Sequence, residues 1–555
     1  MGIGISYRHH AVEGSYDAIV IGSGIGGLAT AALLAKHAEM RVLVLERHYT
    51  AGGFTHTFRR RGFEWDVGVH YIGQLGNPNT LIRRIFDDIT EAKLEWADMG
   101  DVYDRVIIGD DTYDFVKGPT QFRDRICSYF PEQTEAIDRY LEAVKATAGS
   151  ARRYFAEKAM PGAMSALAGG VIRRSGVRNA RRTTREVLDE VGASPRLAGV
   201  LTAQWGDYGL PPSQSSFFIH ALVAGHYLWG GSYPIGGSGR IAETIRPVIE
   251  SRNGAVYTSA EVETILVEKG RATGVRLTDG NELFAPLVIS DAGAHLTFTD
   301  LVPEASEFAS LTAAGGLQEL SMSHVCLYVG LNRTAEELGL TKPNLWVYPS
   351  DDHDGNLARY AADPTAPLPV AYISFPSAKD PDFGRRYPGK ATLEVIGFAP
   401  FAWFAPWQGE RWSKRGTEYE ALKDGLVARL LEQLHQHVPQ VDGAIEHMEL
   451  SSPLSTIHFT GHAEGAVYGL AATPQRFAEQ KLRPRTAIKG LYLTGVDVAT
   501  PGVAGGLMGA MLTASTIVGR DLGNDIARGA EVAREGAQPA AETGPRAKNR
   551  PSDTV

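Results

Sequence analysis

The chain has 555 residues, 43% of them hydrophobic and 21% charged, with a formal net charge of −9. That is enough apolar material for a sizeable core shared by two intertwined domains, and the acidic balance gives the surface as a whole no reason to bind nucleic acid. The two cysteines, Cys127 and Cys326, lie far apart without a CxxC or CxxCH setting, so buried reduced thiols are expected rather than a disulfide framework or a metal site.

The opening residues, MGIGISYRHHAVEG, contain no long apolar run and no secretory signal, which makes a cytoplasmic protein the expectation. Their MGxxxS start matches a short myristoylation pattern that ordinary bacterial cells do not use. From Tyr16 to Glu46 the chain then reads YDAIVIGSGIGGLATAALLAKHAEMRVLVLE: an apolar strand, a glycine turn, an alanine-rich helix, a second apolar strand and a closing acid. This is a complete dinucleotide-binding βαβ unit. Gly22 permits the tight turn, Gly24 lets backbone amides approach a pyrophosphate at the positive helix end, and Gly27 allows the helix to pack closely on the strand. Glu46 is expected to accept hydrogen bonds from an adenosine ribose and to disfavour a 2′-phosphate.

Directly after that acid stand Arg47 and, slightly later, the pair Gly52 and Gly53, which brings backbone back toward the cofactor and favours FAD over NAD. The pattern resembles the second half of the FAD signature in the amine oxidase and phytoene desaturase superfamily. By that resemblance Arg47, Gly53 and Thr55 line the FAD.

The stretch from Pro161 to Arg185 joins twelve uncharged residues to six arginines with no acid among them. It fits a seat on an anionic membrane surface, and it equally fits a solvated basic helix pair or a mobile lid. Further on, YPIGGSGRIAETIRPVIESRNG predicts a glycine turn and an amphipathic helix over Ile241 to Ser251, stopped by Asn253-Gly254. Strands follow at Ala255 to Tyr257, Glu261 to Glu268 and Gly274 to Thr278, and Asp279-Gly280 marks a hairpin. By resemblance to flavoproteins of this type, Val262 contacts adenine.

In GFAPFAWFAPWQ the rings of Phe398, Phe401, Trp403, Phe404 and Trp407 fall within ten residues. They read either as plain core or as the wall of an apolar tunnel. Near the end, a strand at Leu491 to Thr494 precedes Gly495, Asp497 and a glycine-rich helix start. Val498 to Gly519 is uncharged and long enough to span a bilayer, but its glycines, threonines and proline fit a cofactor-facing helix better. This segment resembles the superfamily's C-terminal flavin motif, in which Asp497 bonds the ribityl chain or a phosphate and the amides from Val503 to Gly505 face the isoalloxazine.

The expected fold is therefore α/β, a Rossmann-like FAD-binding domain of the amine oxidase type interleaved with an α+β substrate domain. The FAD-binding parts are 15–75, 231–300 and 485–523; the substrate domain takes 76–230 and 301–484, with 161–185 as its candidate membrane-facing segment. Residues 524–555 change composition and lose apolar periodicity, so a disordered tail is expected.

Beyond the cofactor motifs, FEWDVGVHYIG, WGDYGLPPSQSSFFIHALVAGHYLWGGSYPIGG, GAVYGLAATPQRF and GLYLTGVDVATPGVAGG resemble segments of the all-trans-retinol saturases, carotenoid isomerases and bacterial phytoene desaturase-like flavoproteins. The resemblance implies flavin redox chemistry on a conjugated isoprenoid: saturation, desaturation or isomerisation of a polyene. Candidate proton donors or orienters, each within these segments, are His70, Tyr71, Asp207, Tyr208 and Tyr233. No second GxGxxG follows a strand, so reduction through a separate nicotinamide domain is not expected and the electron partner is left open. The alternatives are an enzyme of the same fold acting on an amine or fatty acyl chain, and a flavin-binding protein without turnover.

Overall fold

The computed structural model describes residues 2–160, 169–170, 178–302, 319–412 and 414–537. Strands Ala18–Ile21 and Val42–Leu45 are buried along their whole length. They pair in parallel in the register Ala18↔Val42, and the helix Ile25–Ala38 crosses between them. Covered on both faces, such strands carry unbroken apolar runs, here AIVI and VLVL, rather than alternation. Gly22 makes the turn at φ +94°, a left-handed conformation that a side chain would strain.

Four further strands complete a six-stranded sheet in the order Ile5–Ser6, Ala255–Thr258, Val42–Leu45, Ala18–Ile21, Leu287–Ser290, Leu491–Leu493, and every pairing is parallel. Ile5–Ser6 thus adds an edge strand ahead of the expected start at residue 15. Ala18–Ile21 has neighbours from quite different parts of the chain on its two sides. Connections diverge there, and a crevice opens beyond the strand ends.

The predicted helix over 241–251 is found at Arg240–Glu250, and the hairpin at Asp279-Gly280 joins Arg271–Leu277 to Glu282–Phe284 in antiparallel register. The uncharged C-terminal stretch forms the helix Gly502–Val518, largely buried. It approaches Ile25–Ala38 closely, for a methyl on Gly506 would stand 2.8 Å from Ile25 Cγ2, and the loop before it does too, for one on Gly26 would stand 2.6 Å from Gly495 Cα. Among the described residues no single helix is long and apolar enough to cross a membrane.

The second domain is built on a seven-stranded sheet ordered Ile445–Ser451, His324–Leu331, Ala391–Phe398, Ala371–Ser374, Asn344–Tyr348, Val102–Ile108, Asp111–Val116. Trp346 pairs with Tyr372 and Tyr372 with Ile396, so these three share a face as one row. Two residues along the same strands, and therefore on that same face, lie Asn344, Ser374 and Glu394. Asp104 pairs with Asn344 on the next strand.

One expectation needs correction. The chain from 524 is not all tail, because a helix runs over Leu522–Ala537. Leu522 and Ile526 are buried, and Arg84 Nη1, from the helix Leu81–Ile89, donates to the Ala527 carbonyl at 2.7 Å. In the aromatic cluster, Phe401, Trp403, Phe404 and Trp407 belong to the core between the seven-stranded sheet and the helix Gly416–His437; of the five rings, Phe398 reaches the cavity described below. Most of 161–185 lies outside the described residues.

Candidate functional site

A cavity of about 1680 Å³ runs from the crevice of the parallel sheet to the face of the seven-stranded sheet. Pockets that take one small ligand hold about 300–1,000 Å³, so this one has room for a dinucleotide and an elongated second molecule together.

At the cofactor end the wall includes Gly22, Gly24, Glu46, Arg47, Gly53, Thr55, Val262, Asp497 and Val503. Gly27 stands behind the wall, where a methyl would collide with the Gly22 carbonyl oxygen; its role is the close packing of helix on strand. Gly53, at φ +53°, brings its loop onto the first glycine loop, with 2.9 Å from its would-be Cβ to Gly24 Cα. Glu46 is fixed at the lip by the Ser23 N–H at 2.9 Å, the Ser23 hydroxyl at 2.7 Å and the His48 N–H at 2.7 Å. Arg47 pairs with Glu261 at 3.1 Å. Thr55 donates its hydroxyl to the Gly52 carbonyl. Asp497 accepts the backbone N–H groups of Ala294 at 2.7 Å and Leu470 at 3.1 Å, so its oxygens already bind the chain's own amides.

Sequence reasoning gave no role to Asp291, which follows the strand Leu287–Ser290. Its Oδ2 accepts the Gly27 N–H at 2.7 Å, placing a carboxyl at the amide end of the first helix. Burial, opposed by that hydrogen bond and reinforced by Glu46 and Asp497, pushes this carboxyl up to about 8. A strand end next to the glycine loop was the only available signal.

From the cradle the cavity passes between the helices Thr134–Ala159, Phe217–Tyr227 and Gly502–Val518, lined by Ala151, Phe155, Ile219, Val223, Met508 and Leu512. The passage is apolar because all three helices offer it apolar side chains, Phe217–Tyr227 and Gly502–Val518 being hydrophobic nearly all round. Its floor is the aromatic row of the second sheet, Trp346 and Tyr372, with Phe398 and His324 beside them and Asp207 at the rim.

His70 and Tyr71 also line the cavity. His70 Nδ1 stands 3.0 Å from Glu394 Oε2, out of line for a hydrogen bond, and burial together with the Lys379 charge lowers its imidazole to about 3. It is a neutral ring at neutral pH. The Tyr71 hydroxyl lies 2.8 Å from Asp104 Oδ2 and 3.1 Å from Asp207 Oδ2, and its ring stacks on Tyr227 at 4.2 Å. Asp207 rises well above the carboxylate range through burial and the neighbouring Asp104.

Tyr208 and Tyr233 stand off the cavity wall, contrary to expectation. Tyr208 is wholly buried, with its hydroxyl 3.0 Å from His220 Nδ1. The helix Phe217–Tyr227 carries His220, whose Nε2 lies 2.8 Å from the Tyr140 hydroxyl. The Tyr233 hydroxyl donates to Asp66, a carboxylate also held by the N–H and hydroxyl of Ser238.

Alongside the floor, on the sheet face that carries Asn344 and Ser374, Lys379 is 1% exposed. Its ammonium donates to the His70 carbonyl at 2.9 Å, to the Ser374 hydroxyl at 2.8 Å and to Asn344 Oδ1. Burial draws this ammonium down to about 8 and pushes Glu394 up to about 8.

Residues 20–89 match the family described as an NAD(P)-binding Rossmann-like domain. Over 530 residues the chain is 38% identical to the all-trans-retinol 13,14-reductase of Rattus norvegicus, covering 92% of this chain and 87% of that protein. It is 25% identical to the chloroplastic prolycopene isomerase of Arabidopsis thaliana, covering 88% and 80%. Among solved structures, cyclohexylamine oxidase from Brevibacterium oxydans IH-35A superposes with a TM-score of 0.55 at 17% identity, covering 93% of this chain and 100% of that one; that likeness shows the fold alone. With a dinucleotide cradle opening into an apolar passage, and with that identity along nearly its whole length, the chain belongs to the all-trans-retinol 13,14-reductase family of oxidoreductases.

Proposed function

We propose that the protein binds FAD in the glycine cradle and acts on a carbon–carbon double bond of a retinoid or carotenoid polyene, with saturation as its reaction. The observation that carries this reading is the passage itself, a lipophilic channel between three helices that leads from the cradle to an aromatic floor. Saturation is preferred over isomerisation because the identity is 38% to a reductase against 25% to an isomerase. The amine alternative has only the shared fold behind it.

When bound, FAD supplies the two-electron chemistry that a polyene carbon requires. The amides at the start of Ile25–Ala38 would hold the pyrophosphate, Glu46 the ribose, and the amides from Val503 to Gly505 the ring system. The helical walls hold the polyene in line and exclude water.

The test is anaerobic mixing of holoprotein, oxidised and separately reduced, with retinol and with a carotene, while the polyene absorbance is recorded. A blue shift with reduced protein alone supports saturation, and a red shift with oxidised protein would turn the assignment to desaturation. A small shift without net flavin oxidation would mean isomerisation. An unchanged polyene beside an intact flavin spectrum rules the reading out for these substrates.

Two further outcomes are expected. Val223→Trp narrows the passage away from the cradle, so the KM for the polyene should rise by about tenfold or more while flavin content stays constant; equal loss of flavin would show the wall to be misplaced. The second concerns Asp291, which faces Glu46, Asp497 and the amide end of the first helix. Below pH 8 its carboxyl is neutral and adds no charge against a pyrophosphate, whereas above pH 8 it is an anion and repels one. FAD affinity should therefore weaken as pH rises through about 8, and Asp291→Asn should flatten the dependence, as read by quenching of flavin fluorescence.

A further inference from the structure

The contact between Asp207, Tyr71 and Asp104 contains more acceptors than protons unless one carboxyl is itself a donor. Asp104 is fully buried. Its Oδ1 accepts Asn344 Nδ2–H at 2.8 Å, and its Oδ2 accepts Gln204 Nε2–H at 2.9 Å and the Tyr71 hydroxyl at 2.8 Å. Three donors converge on it, the pattern of a charged carboxylate, and Lys379 stands one residue away through Asn344. A tyrosine hydroxyl has one hydrogen. With that hydrogen on Asp104, the 3.1 Å contact between Tyr71 and Asp207 Oδ2 is a hydrogen bond only when Asp207 supplies the proton.

Asp207 is also the carboxyl of this cluster that borders the cavity, where Trp346, Tyr372, Phe398, Tyr227 and Tyr468 surround it. Its place comes from the 3-10 turn Trp205–Asp207. Gly206 in that turn lies so close to the Trp346 ring that a methyl there would be 2.6 Å from it, which seats the turn on the aromatic floor. The titratable groups facing Asp207 are Asp104 and the hydroxyls of Tyr71, Tyr103, Tyr208, Tyr227, Tyr348, Tyr372 and Tyr468.

We propose that Asp207 is the proton donor of polyene saturation, with Tyr71 and Asp104 as the positioning residues that hold its proton toward the cavity. This assignment rests on the reading of the protein as a polyene reductase. In the step, FAD held reduced in the cradle would supply the hydride, and with it two electrons, for one carbon of the double bond. The O–H bond of Asp207 breaks and a C–H bond forms at the neighbouring carbon, so the alkene is reduced by two electrons and the flavin is oxidised. The carboxylate left behind is met by the Tyr71 hydroxyl, which turns from Asp104 to it, and Asn344 and Gln204 continue to hold Asp104.

Two measurements on the FAD-loaded full chain test this. Infrared spectra of the native chain minus Asp207→Asn should show the carbonyl stretch of a protonated carboxyl at neutral pH; a spectrum without that band overturns the proposal whatever the protein's activity. In stopped flow under anaerobic conditions, reoxidation of the reduced flavin by retinol should slow about 100-fold or more in Asp207→Asn, the usual contribution of a general acid. Retinol binding and reoxidation by oxygen should be unchanged, and Asp207→Glu should recover part of the rate. A variant that reduces retinol at the native rate overturns the donor role. Because the infrared band does not depend on turnover, a native chain that shows the band yet reduces no polyene overturns the proposed function, while the protonated carboxyl stands.

Discussion

Gly27→Ala is expected to give a chain that retains no FAD and unfolds at a clearly lower temperature. The new methyl would run into the Gly22 carbonyl oxygen and would lie 3.1 Å from Asp291 Oδ2. Neither neighbour has room to give. The carbonyl belongs to the turn at φ +94°, and Asp291 is tied to the Gly27 N–H itself. Relief requires the first helix to lift from the strand Ala18–Ile21. Such overpacking costs about 1–3 kcal/mol in a tight core, and the lift also displaces the amides that meet the pyrophosphate. Thermal denaturation together with the flavin absorbance of the purified protein checks this. A variant that keeps stoichiometric FAD would show that helix and strand are not locked at Gly27.

Lys379→Met is expected to cost about 3–5 kcal/mol, the usual penalty for breaking a buried charge cluster from one side. Methionine keeps the length of the side chain but none of its donors. The His70 carbonyl, the Ser374 hydroxyl and Asn344 each lose a partner, and the Glu394 and Asp104 carboxyls lose their neighbouring cation. Urea denaturation would measure the loss. Adding Glu394→Gln should restore part of it by removing one of the stranded acids, and the coupling energy follows from the double-mutant cycle. Strictly additive losses would mean that Lys379 and Glu394 do not stabilise one another.

The cofactor end was legible in the sequence because each of its parts is local. A glycine turn between an apolar strand and a helix constrains backbone over about ten residues, and that constraint survives any tertiary setting. Gly22, Gly24 and Gly53 line the cavity, and the hairpin at Asp279-Gly280 follows from turn chemistry alone. Asp291 escaped notice because it reaches the first helix only through the parallel pairing of Leu287–Ser290 with Ala18–Ile21. From residue 524 the helix Leu522–Ala537 has few apolar residues, so composition there predicts a tail. Leu522 and Ile526 suffice once the helix Leu81–Ile89 is present to cover them.

The sequence by itself determined the dinucleotide cradle, the α/β class and, through the family segments, the kind of chemistry. Only the tertiary structure decided which of the five candidate side chains face the cavity. His70, Tyr71 and Asp207 do, while Tyr208 and Tyr233 turn into buried hydrogen bonds elsewhere. It alone assembled Asp104, Asn344, Lys379 and Glu394 behind Tyr71 and His70. Those residues come from strands and a short helix distributed over nearly 300 positions, and none carries a local signature. Strand register brings them onto one face, and a buried charge can persist there only because the others supply its hydrogen bonds.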